Sequence, residues 1–89
     1  MQSNIVQAEP LCPRVVDVEP INNYMLRLTF TNGERRIFDA KPLFDFPVFK
    51  PLRIKAFFET VKVDHGTVQW PKDIDYCPDT LYVESVPAE

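Results

Sequence analysis

The sequence is short of the residues from which metal and thiol sites are built, with one histidine and two cysteines among 89 residues. A structural zinc takes four nitrogen or sulfur ligands, more than this chain can supply. No stretch approaches the roughly 18 consecutive apolar residues that span a bilayer. The opening, MQSNIVQAEPLCP, has neither the basic start nor the apolar run of a secretory signal. A cytoplasmic protein with no membrane partner is therefore expected. Positive charge is not in excess either: ten Lys and Arg against thirteen Asp and Glu leave a formal charge of −3. That argues against direct nucleic-acid binding, which draws its affinity largely from neutralising phosphates. It suits a basic protein partner or none. Repeats and low-complexity runs are also missing.

What is present is apolar and aromatic. Seven Phe, three Tyr and one Trp supply much of the core of a single small domain. A chain this short buries only about 60–65% of its unfolded surface, which leaves little for an enclosed pocket. Residues 1–13 read as a flexible tail without periodicity, 14–86 as one α+β domain and 87–89 as a closing tail.

RVVDVEP (Arg14–Pro20) is a β-branched run bounded by prolines, hence a strand, and INN is a turn. YMLRLTF (Tyr24–Phe30) alternates, with Tyr24, Leu26, Leu28 and Phe30 on one face and Met25, Arg27 and Thr29 on the other. Asn32-Gly33 signals a hairpin into ERRIFDA. A two-residue loop sets Ile37 against Leu28 and turns Phe38 outward; a three-residue loop with a glycine bulge does the reverse. Both registers stay open. KPLFDFPVFKP has too many prolines for a regular helix, and reads as a helical turn near Pro42–Phe44 and an extended link whose Leu43, Phe44, Phe46 and Phe49 cap the sheet. Pro51 then opens a helix with Ile54, Phe57, Phe58 and Val61 as its apolar stripe. VKVDHGTVQW forms a second hairpin tipped by His65-Gly66. Cys77 as N-cap, Pro78 and Asp79 start a short C-terminal helix. The sum is a three-stranded antiparallel meander, a helix, a second β-hairpin and a short helix.

Asp73 to Glu84 mimics a calcium loop, with acids at positions one, three, seven and twelve. Its sixth position must turn sharply, which Pro78 cannot do, and its fifth ligand is a soft Cys77 sulfur. His65, Cys77 and Asp75 carry the types needed for thiol or metal chemistry, yet His65 is accounted for as a turn residue and no third group orients the pair. A Cys12–Cys77 bridge requires the tail to fold back, and reduced thiols are expected. Arg27, Arg35 and Arg36 read either as a sheet surface kept soluble by charge or as a strip that grips an acidic partner.

The runs PRVVDVEPINNYMLRLTFTNGERRIFDAKPLF and PLRIKAFFETVKVDHGTVQWPKDIDYCPDTLY resemble the bacterial family catalogued as domain of unknown function 2442. The ending W-P-x-D-x-D-x-x-P-D-x-L-Y, from Trp70 to Tyr82, is its most specific part; Cys77 fills a slot where that family suggests Ser or Ala. The resemblance implies a small cytoplasmic α+β protein and supplies no catalytic residue or cofactor. It also implies a frequent neighbour gene for a small basic protein, in an arrangement like a toxin–antitoxin pair. Some relatives carry a helix-turn-helix DNA reader, which is not expected here. Three functions follow. The first is a non-enzymatic protein-interaction module, in its narrower form the antitoxin-like half of a two-gene pair, contacting a partner through Arg27 and Arg36 with Asp73 and Asp75. The second is a regulatory domain acting on nucleic acid through a partner, and the third a small enzyme or metal protein. Monomer and homodimer are both open.

Overall fold

A computed structural model describes residues 12–88, so the expected tail over 1–13 lies, apart from Cys12 and Pro13, outside the described residues. The order is β1 (Val15–Ile21), β2 (Met25–Phe30), β3 (Arg35–Asp39), α1 (Lys55–Phe58), β4 (Lys62–Asp64), β5 (Thr67–Trp70), β6 (Ile74–Asp75), α2 (Pro78–Glu84) and β7 (Val86–Pro87). Short 3-10 turns cover Asn22–Tyr24, Lys41–Asp45 and Pro47–Arg53. Two antiparallel sheets result, ordered β1-β2-β3-β7 and β4-β5-β6. This is the α+β class, with the meander and second hairpin in place. Each sheet gains one short strand. Pro87, read from sequence as part of the closing tail, lies in β7, whose Val86–Pro87 pair with Ile37 and Arg36.

The alternation of β2 builds the core. Leu26, Leu28 and Phe30 are buried on one face, joined by Val15, Phe38, Val68, Trp70, Ile74 and Leu81. The Val15 amide donates to the Gly66 carbonyl at 2.9 Å and stitches the second hairpin to the first sheet. The Trp70 indole donates to the Phe58 carbonyl at 2.9 Å, so the largest buried side chain is also satisfied.

The first hairpin takes the longer loop. Gly33 sits at φ +88°, the Gly33 amide donates to the Phe30 carbonyl and the Phe30 amide to that of Glu34. Leu26 therefore pairs with Phe38 and Leu28 with Arg36. Phe38 goes inward, and so does Arg36.

The expected helix from Pro51 is broken. Pro47–Arg53 is 3-10, Ile54 is extended (φ −88°, ψ 117°), and only one α-turn follows. Pro51 has no amide to give, and the three-residue repeat presents Phe49 and Leu52 to the core instead. Ile54 is 63% exposed rather than part of the buried stripe, and Phe46 points outward where it was expected to cap the sheet. Phe58 keeps its inward place. The C-terminal helix starts as its sequence indicated, with Cys77 as N-cap, Pro78 in the first turn and Asp79 beside it.

Candidate functional site

The outer face of the four-stranded sheet is built by the residues that β2 turns away from the core. Thr29 is flanked by Asp17 and Arg35, and Arg27 by Glu19 and Ile37. Met25, Thr29 and Ile37 are half-buried, while Arg27 and Arg35 are exposed. The Arg27 guanidinium donates to Glu19 Oε1 at 2.7 Å, and Lys41 Nζ lies 3.0 Å from Asp39. Arg35 has no ion pair among the described residues. A shallow depression of ≈ 540 Å³ opens beside it, lined by Arg27, Gly33, Arg35, Pro87 and Ala88.

Arg36 does not share this face, contrary to the sequence expectation. The three-residue loop turns it inward, where its side chain is 16% exposed. It donates to Ser85 Oγ and to the Ser85 carbonyl, each at 2.7 Å, and to Glu34 at 3.0 Å. Its guanidinium lies 4.5 Å from the centre of the Tyr82 ring, and Tyr82 Oη donates to Glu34 at 2.8 Å. The four groups form a clasp that holds α2 and β7 against the first hairpin.

The hydrogen bond from Tyr82, then that from Arg36, lowers the Glu34 carboxyl below its ordinary range. The same bond raises Tyr82. A depressed carboxylate contributes stability above its unfolded pKa and loses it as pH falls through the folded one. Acid should thus loosen the clasp, and Glu34→Gln should flatten the acid side of a plot of unfolding midpoint against pH. A Gln variant with the wild-type acid slope would show that Glu34 is not the group concerned.

Asp75 lies on the other sheet and Asp73 in the turn before it, and no hydrogen bond or ion pair among the described residues links them to Arg27. Asp73 follows a left-handed Lys72 (φ 69°) in the β5–β6 turn, and lines a second depression of ≈ 320 Å³ with Lys62 and Lys72. Two lysines beside it dilute the acidic strip read from sequence. Asp75 is exposed opposite Gln69.

His65 occupies the tip of the second hairpin at φ 54°, 90% exposed, with Nδ1 2.9 Å from Asp64. Cys12 and Cys77 are both free. Amide and hydroxyl of Thr80 lower the Cys77 thiol, although its sulfur closes no cap hydrogen bond of ordinary geometry. Cys77→Ser should leave the unfolding free energy within about 0.5 kcal/mol of wild type, as for a surface change; a larger loss in a urea titration would reveal a structural thiol. Among the described residues no three His, Cys, Asp or Glu side chains are grouped to hold a metal ion.

The family described as protein of unknown function (DUF2442) matches residues 15–87. The chain belongs to that family. The match runs from the first residue of β1 to the last of β7, so the clasp and both sheets are inside the family's domain. No curated protein and no solved structure matches the chain. Among the described residues no helix is long and apolar enough to cross a membrane.

Sequence reasoning grouped Arg35 with Arg27 and Arg36 in one basic strip but chose Arg36 over Arg35 for the contact surface. The decisive signal was the loop length, and Asn-Gly alone serves either length.

Proposed function

We propose that this domain is a non-enzymatic protein-interaction module that meets its partner on the outer face of the four-stranded sheet. The observation that supports this is the face itself: Met25, Thr29 and Ile37 half-buried at its middle, Arg27 and Arg35 exposed beside them, and, among the described residues, no helix packed closely over them. Arginine among half-exposed apolar side chains is the composition of a contact surface.

A partner on the face is favoured over one that extends the sheet. Ala88 turns its amide toward the Arg35 carbonyl, so the nitrogen of the preceding Pro87 faces outward and has no hydrogen to offer. At the opposite edge β1 carries a bulge between Val15 and Asp17, then Asp17, Glu19 and Pro20. Both are devices that discourage strand addition. The net charge of −3, with Asp17, Glu19 and Asp39 around the face, suits a partner that is basic overall, the antitoxin-like arrangement in its narrower form.

The test is recovery of the tagged chain from its host beside an Ile37→Lys variant whose amide spectrum shows it folded. A stoichiometric partner retained by wild type and lost by the variant supports the reading. A partner held equally by both, or nothing retained, overturns it.

A further inference from the structure

The depression beside Arg35 departs from the acidic ring that surrounds it. Arg27 and Arg35 sit on adjacent strands, two residues out of register: Arg27 pairs with Ile37, and Arg35 with Thr29. Such diagonal neighbours stand roughly 7–8 Å apart on one face. An extended peptide repeats its side chains on one side every two residues, about 6.6–6.8 Å. Carboxylates at alternate positions of an extended segment therefore match the two guanidinium groups in spacing as well as charge.

The groups are also prepared for it. Glu19 takes only Nη1 of Arg27, holding the guanidinium in place and leaving its other donors to face a ligand. Arg35 makes no ion pair among the described residues. Gly33 leaves the groove wall open, for nothing lies within 4 Å of where its Cβ would be, and Pro87 and Ala88 give a short apolar wall. Asp17 and Glu19 stand on the same face and would repel a long polyanion such as a nucleic acid.

We infer that the groove lined by Arg27, Gly33, Arg35, Pro87 and Ala88 receives an extended protein segment bearing two carboxylates at alternate positions. This rests on the interaction-module reading and supplies its register: a partner basic overall meets the acidic ring, and its one acidic segment meets the groove.

The test is a titration of the isotopically labelled intact chain with a capped Ala/Ser peptide carrying glutamate at two alternate positions. Resonances of Arg27, Gly33, Arg35 and Ala88 should move, and binding should weaken with added salt. Arg35→Glu, and separately Arg35→Gln, should weaken it by at least about tenfold. An equal response to the same peptide with glutamine at both positions, no response at millimolar peptide, or a stronger response to a single-stranded oligonucleotide overturns the assignment. So does movement of the same resonances on concentrating the chain alone, which would give the groove to a second copy. A host partner that is lost by Ile37→Lys but indifferent to Arg35→Glu overturns the groove and leaves the interaction module standing. Indifference to both removes both.

Discussion

Replacing Trp70 with Ala should strip this domain of a large part of its stability. The indole is 1% exposed, its ring centre lies 6.0 Å from that of Phe58 and its N–H is bonded to the Phe58 carbonyl. Truncating a buried aromatic of this size costs about 3–5 kcal/mol. A chain of 89 residues has about 4–13 kcal/mol in all, from roughly 0.05–0.15 kcal/mol per residue. Loss of one side chain thus removes from about a quarter of the total to all of it. Trp70→Phe separates the contributions: much of the packing stays, but the Phe58 carbonyl loses its donor, costing about 1–3 kcal/mol. Urea unfolding followed by far-ultraviolet circular dichroism checks both. An Ala variant with an unchanged midpoint would mean the core does not depend on this packing.

The second large effect should follow Arg36→Met. The side chain makes two hydrogen bonds to Ser85 and a ring contact with Tyr82, which bind the C-terminal segment to the first hairpin, and a third hydrogen bond to Glu34 within that hairpin. Bonds to a charged group contribute about 1.5–3 kcal/mol each at best, and Glu34 is 42% exposed to water, so a total loss of about 2–3 kcal/mol is expected. Lys should restore little, because a point charge cannot bond Ser85 Oγ, its carbonyl and Glu34 as a planar fork does. Hydrogen exchange gives the sharper readout. The Ser85 amide, bonded to Leu81, and the Ala88 amide, bonded to Arg35, should exchange much faster, while those of Leu26 and Leu28 should change little. Uniform acceleration across the chain would refute a local clasp.

These two residues also mark how far the sequence could be read. The burial of Val68 and Trp70 accords with their spacing of two along β5, and that of Leu81 with its place in α2. The position of Arg36 does not follow from such spacing. Alternation tells which residues of β3 share a face but not which face is buried, because Ile37 and Phe38 are both apolar; a turn geometry decided it. Ile54 misled for another reason. Its spacing to Phe57, Phe58 and Val61 is helical, yet Pro47 and Pro51 impose a tighter turn upstream that rotates Ile54 out to solvent. Of the candidate site, the basic strip of Arg27, Arg35 and Arg36 was legible, but which of Arg35 and Arg36 shares the face of Arg27 came only with the register.

Loop tips are where protein chains ordinarily gain and lose residues without harm. The tip at Thr31–Gly33 is an exception. Deleting Asn32 would turn β3 over, bringing Ile37 into the core, putting Phe38 in water and carrying Arg36 to the outside, with the C-terminal helix left unclasped. The length of this exposed turn should therefore be as invariant among working variants as any buried side chain.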